Sequence, residues 1–204
     1  MEIDKLGSET DRLRRKLRFV GLLSRLLEPE GVVPILVGGT ALEFYTFGEY
    51  STADVDLVLS GREEAARALE MLGFQREGRH WYSGDLDLAV EIPDNVLAGA
   101  LEKTVTVSVE GEKVRVIGPE DLIVDRLAAA KFWKARTDLD WAAAVLLLHQ
   151  DRIDPEYLEQ AAAREGVSDF LVQAMKKRDE MSGARRRAPR FSPGPERKPG
   201  GPRA

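Results

Sequence analysis

Residues 36–59, LVGGTALEFYTFGEYSTADVDLVL, decide the fold. The apolar run VVPILV at 32–37 reads as a buried strand and stops abruptly at Gly38 and Gly39. A short helix from Thr40 to about Thr46 follows. Residues 54–59, DVDLVL, alternate with a period of two, so Asp54, Asp56 and Val58 face one way while Val55, Leu57 and Leu59 face the other. Paired glycines between a strand and a helix let a ligand approach the backbone closely and leave N–H groups aimed at an anion, which suits phosphate. Two carboxylates on one strand face repel each other unless a cation stands between them.

Upstream, Ser8 reads as the start of a first helix, with Asp11 in capping-box position and Leu13, Leu17, Val20, Leu23 and Leu27 at helical spacing. Pro29 and Gly31 should end it. Downstream, an amphipathic helix is expected over 61–72, and LDLAVEI at 86–92 reads as a strand on which Asp87 and Glu91 share a face. TVTVSV and KVRVI predict a hairpin around Gly111. Pro119 opens a helix to about Lys134, and helices follow near 138–149, 155–164 and 167–180. Strands alternate with helices up to residue 118 and only helices come after it, which predicts an α/β (α+β) catalytic half, 1–118, and a helical half, 119–181. Residues 182–204 hold seven basic side chains, one acid and five of the ten prolines, a composition expected to form a disordered tail. The formal charge of -5 therefore divides into a tail of +6 and a body of -11.

Among 204 residues there is no cysteine and there are only two histidines, which excludes disulfides, thiolate metal sites and a cysteine nucleophile. Any metal would have to be a hard ion on carboxylate oxygens, and magnesium is the obvious choice. The acidic start MEIDKLGSETD has no secretory pattern, and no apolar run reaches the ~20 residues that span a bilayer. A soluble cytoplasmic protein with no membrane partner is expected.

The glycine pair and the D-x-D strand resemble the signature of the nucleotidyltransferase superfamily, the group related to DNA polymerase beta. Residues 36–59 carry the likeness most closely. More weakly, LDLAVEIP offers a third carboxylate, and DRLAAAKFWKARTDLDWA at 125–142 looks like the helical region of abortive-infection type nucleotidyltransferase toxins. Thr40 stands where many relatives have a glycine-serine pair, and Arg126, with Lys131 further along, stands where the toxins have a lysine.

The resemblance implies a nucleotidyltransferase fold with a small mixed sheet and a helical C-terminal half. It implies that Asp54 and Asp56 bind one or two Mg2+ ions and the triphosphate of an NTP such as ATP. Gly38, Gly39 and Thr40 would hold the β and γ phosphates, with Arg126 and Lys131 as further phosphate contacts. Glu91 is the first choice for the third carboxylate, as metal ligand and base, and Asp87 the second. The reaction would move NMP to a hydroxyl. An RNA end, specifically that of tRNA, is the expected acceptor, in a toxin–antitoxin or phage-defence setting with a cognate toxin or antitoxin protein. A catalytically silent binding module and a small-molecule transferase of the aminoglycoside-modifying type stand as alternatives. Metal-dependent glycosyltransferases also use D-x-D but normally have a longer nucleotide-binding half upstream than the 53 residues here, and dehalogenase-like phosphatases place it at the end of their first strand, whereas here a complete strand and glycine pair come first.

Other features have plainer readings. Phe44, Tyr45, Phe47, Tyr50, His80 and Trp81 are expected to pack in the core or at its rim, and Trp133 and Trp141 to bury between helices. Arg126, Lys131, Lys134 and Arg136 either line one helical face toward phosphates or are solvated.

Overall fold

The computed structural model describes residues 2–187. A short helix α1 (Glu2–Gly7) leads into α2 (Arg12–Leu27). The cap of α2 is Asp11, whose side chain accepts from the Arg14 N–H at 3.0 Å, so the helix starts three residues later than a Ser8 cap would place it. The phased leucines do bury: Leu17, Val20, Leu23 and Leu27 enter the core with Phe19. After the left-handed Gly31 the chain enters β1 (Ile35–Val37), then α3 (Gly38–Tyr45) and β2 (Asp54–Val58). Helix α4 (Arg62–Met71) follows as expected.

A hairpin not anticipated from sequence comes next, β3 (Gln75–Glu77) and β4 (His80–Ser83), joined by Gly78 and Arg79. Strand β5 covers only Leu88–Glu91, because Asp87 is left-handed at φ 48° in a turn closed by its N–H to the Gly84 carbonyl. The hairpin of β6 (Val105–Val109) and β7 (Glu112–Val116) matches expectation. Its two-residue loop, Glu110 at φ 52° and Gly111 at φ 89°, is the mirror-image turn that antiparallel strands favour. The remaining helices are α5 (Pro119–Phe132), α6 (Arg136–Leu148), α7 (Pro155–Arg164) and α8 (Ser168–Arg187). Helix α8 continues beyond residue 181, where the basic tail was expected to begin, and the rest of that segment lies outside the described residues.

The sheet order is β3-β4-β5-β2-β1-β7-β6. Strand β2 is antiparallel to β1 and parallel to β5, with Val37 opposite Asp56 and Glu91 on its other side. Paired residues point to the same face of a sheet, so one face carries Asp54, Asp56, Glu91 and His80. The opposite face carries Leu36, Val55, Leu57, Val90 and Val116, which α2 and α4 cover in a single hydrophobic cluster. The alternation seen in sequence follows the two faces: Asp54 and Asp56 stay half-buried on the open face, while Val55 and Leu57 are fully buried. Among the described residues no helix is long and apolar enough to cross a membrane.

Candidate active site

The site is built where β1 gives way to α3. Gly38 has φ 58°, a left-handed conformation that lets the chain turn straight from strand to helix. A Cβ there would lie 2.9 Å from the Asp56 carboxylate carbon, so the position needs glycine for space as well as for backbone angle. The Gly39 N–H, in the first turn of α3, donates to Asp56 Oδ2 at 3.0 Å. The Thr40 hydroxyl donates to the Asp54 carbonyl at 2.5 Å and is fully buried. That corrects the expectation for Thr40: its hydroxyl ties α3 to β2 and does not face a phosphate. Gly38 and Gly39 remain partly exposed at the helix N-terminus, as a phosphate cradle requires.

Asp54 and Asp56 project from one face of β2, and Glu91 stands beside Asp56 on β5. Burial raises the Asp56 carboxyl above its ordinary value, the Gly39 N–H works against that rise, and the charges of Glu91 and Asp54 add to it. Arg126 offsets a further part, so its guanidinium lies within electrostatic reach of the site. Arg126 is held at 3.0 Å from Asp138 on α6 and at 2.5 Å from Asp125. Burial opposes its charge, and the two aspartates outweigh burial.

Two expected site residues are elsewhere. Asp87 sits before β5, in the turn, and pairs at 3.2 Å with Arg12 at the start of α2, with both side chains well exposed. Its left-handed backbone breaks the alternation that would have put it in line with Glu91. Lys131 bonds the Gly166 carbonyl and Asp169, both at 2.8 Å. Five residues on from Arg126, it lies ~140° around the helix at 100° per residue, so the two cannot share a face. Helix α5 ends at Phe132, and the left-handed Lys134 separates it from Arg136 on α6, so the four bases form no single stripe. Trp133, expected between helices, is 84% exposed at this corner. Trp141 does pack, edge-on to Tyr50 at 5.3 Å.

Sequence reasoning missed two pairs. Glu91 is engaged by Arg79, whose Nε is 3.1 Å from Oε1, with His80 Nδ1 at 3.8 Å from Oε2. Behind the glycine pair, Lys16 of α2 forms a buried ion pair with Glu43 of α3 and donates to the Thr52 carbonyl at 2.8 Å. Lys16 falls on the same stripe as Val20, Leu23 and Leu27, at spacings of four, three and four, which is the signal that would have marked it as buried.

Three carboxylates on adjacent strands form an oxygen donor set suited to a hard divalent cation. As the side chains stand, no three acidic or histidine groups among the described residues close around a common point. Asp56 is bonded to the Gly39 N–H and Glu91 is paired with Arg79.

No protein-family model and no curated protein matches the sequence. Solved structures do resemble it. An antigenic nucleotidyltransferase-like protein from Paracoccidioides brasiliensis is 18% identical over 86% of this chain and 92% of its own, with a TM-score of 0.54. ANT(2'')-Ia in complex with adenylyl-2''-tobramycin is 16% identical over 74% of this chain and 96% of its own, with a TM-score of 0.49. The first likeness shows the class: this chain has a nucleotidyltransferase-like fold, a mixed sheet flanked by helices with a helical C-terminal part.

Proposed function

We propose that this protein is a magnesium-dependent nucleotidyltransferase that moves a nucleoside monophosphate from an NTP to a hydroxyl. The observation that carries the reading is the row of Asp54, Asp56 and Glu91 on one sheet face, directly under the glycine-opened N-terminus of α3. An unused set of this kind is only an electrostatic cost, which counts against a silent binding module. Asp54, Asp56 and Glu91 would hold the metal, which when bound neutralises the triphosphate and stabilises the departing pyrophosphate. The glycine-opened N-terminus of α3 turns its positive end toward the phosphates, while the Gly39 N–H itself holds Asp56. Arg126 adds a fixed positive charge near Asp56. Glu91 accepts the proton of the attacking hydroxyl as its oxygen bonds to the α phosphorus and the bond to the pyrophosphate oxygen breaks.

Two acceptor classes are consistent with this chemistry. An RNA end, such as that of tRNA, follows from the toxin-like stretch 125–142 and would place the protein beside a cognate toxin or antitoxin partner. A small polyhydroxylated amine is the second, and a cavity of about 280 Å3 beside α5 and α7, lined by Asp121, Asp125 and Glu165 together with Arg164, has room for one. This second class is favoured by the net charge of -11 on the body, which works against binding a polyanion such as RNA. Labelled NTPs incubated with magnesium and either total tRNA or soluble amino-hydroxyl compounds test both. Transfer should appear with one acceptor class and vanish in Asp54→Asn; equal labelling by the variant would remove the proposed chemistry.

A further inference from the structure

The hairpin of β3 and β4 brings a cation to the third carboxylate. Glu77 pairs with His80 across the turn, and His80 pairs in turn with Glu91. The two-residue loop, with Gly78 at φ 63°, therefore delivers Arg79 to the row that holds Glu91 and Asp56. Arg79 reaches Glu91 at 3.1 Å while its own side chain stays 78% exposed, against 16% for Glu91. The neighbouring Arg76 is occupied differently, 5.8 Å over the Trp81 ring. Glu91 thus has one solvent-facing arginine partner, whose Nε–H is also directed at His80 Nε2 at 3.3 Å, and Asp56 beside it has none at comparable range among the described ion pairs.

We propose that Arg79 is a tethered counter-ion for the site, and that a divalent cation loads by exchange, Glu91 leaving Arg79 to join Asp54 and Asp56. The inference rests on the reading of those three carboxylates as the metal set. Its physical basis is competition for one carboxylate. Without a metal, three adjacent negative charges need a positive partner, and an arginine on a flexible stem supplies one charge. A divalent ion supplies two, at shorter range, to all three carboxylates. An ion pair with so exposed an arginine is weak, so the exchange is easily made and the guanidinium returns to solvent at the rim of the site.

The test is calorimetric titration of the full chain with MnCl2 alone, comparing wild type with Arg79→Ala, Arg76→Ala and Asp54→Asn, alongside the thermal midpoint of each metal-free protein. Arg79→Ala should bind Mn2+ about 2- to 5-fold more tightly, the strength of an exposed ion pair, with a metal-free midpoint lower by about 1–4 °C, the same interaction lost from the metal-free protein. Arg76→Ala makes the same change in net charge on the same hairpin and should leave the affinity as it is. Equal or weaker Mn2+ binding by Arg79→Ala, or equal tightening in Arg76→Ala, overturns the exchange. If wild type and Asp54→Asn bind Mn2+ alike, or neither binds it, the metal set itself fails and the exchange falls with it.

Discussion

Lys16 offers a test of the architecture that does not depend on catalysis. Its side chain and that of Glu43 are almost wholly buried, at 3% and 5% exposure, and the ammonium also holds the Thr52 carbonyl. The Thr52 N–H reaches back to Glu43 at 3.4 Å. Three segments meet in this network: α2, the helix opened by the glycine pair, and the residues that lead into Asp54. Lys16→Met preserves length and apolar volume but strands a buried carboxylate, a change that costs about 3–5 kcal/mol. For a chain of this size each kcal/mol moves the midpoint by roughly 2–4 °C, so a fall of about 6–20 °C is expected in a thermal melt followed by circular dichroism. Adding Glu43→Leu should restore much of the loss, because an apolar pair can replace a buried ion pair at little cost. The Thr52 carbonyl still lacks its donor, so about 1–3 kcal/mol stays missing. The coupling in this double-mutant cycle should be favourable by more than 1 kcal/mol, an order-of-magnitude expectation for residues in direct contact. Additive losses, or a single variant as stable as wild type, would contradict the burial and pairing described above.

Two further outcomes concern the site. Burial, with Glu91 and Asp54 adding to it, raises the Asp56 carboxyl in the folded state, so between the ordinary value of 3.8 and that raised value the native protein binds more protons than the unfolded chain. Stability from this group therefore falls as pH rises through the window, and the full penalty stands above it. Asp56→Asn keeps an oxygen for the Gly39 N–H and should melt higher than wild type at pH 7, lose that advantage below the ordinary carboxylate value, and have no transfer activity. A lower midpoint at pH 7 would show that Asp56 stabilises the fold. Gly38→Ala places a Cβ against the Asp56 carboxylate at a backbone of φ 58° and should cost on the order of 1–2 kcal/mol from conformation alone. It should also weaken Mn2+ binding in calorimetry, whereas Gly73→Ala, left-handed with open space around its Cβ, should cost stability without touching metal affinity.

The part of the site that was legible in sequence is the part made by local rules. Gly38 and Gly39 mark a strand-to-helix junction, and a period of two places Asp54 and Asp56 on one face whatever the strand pairs with. The α5 to α8 helices and the β6–β7 hairpin were legible for the same reason, since proline starts, a Glu-Gly loop and apolar phasing act over a few residues. Lys16 was hidden in RLRRKLR, where five bases surround two leucines and only the phase of the stripe separates the buried lysine from its solvated neighbours. The β3–β4 hairpin was hidden because β3 is exposed throughout and so shows no buried alternation.

The choice between Glu91 and Asp87 turned on something sequence does not encode locally. Both follow the same alternation in LDLAVEI, and Asp87 repeats the D-x-D context of β2 more faithfully than Glu91. What separates them is the residue at which β5 begins to pair, and that is set by the Gly84–Asp87 turn and by Arg12 from a helix 75 residues earlier. Once Ala89 is opposite Asp54, Glu91 must be opposite Asp56, and Asp87 falls outside the ladder. The same register places His80 against Glu91 and brings Arg79 with it. One pairing decision therefore places Glu91 beside Asp56, leaves Asp87 outside the ladder and brings Arg79 to Glu91. A change that moved β5 by two residues would keep every side chain on its face, yet it would put Asp87 nearer Asp54 and carry Glu91 past the site.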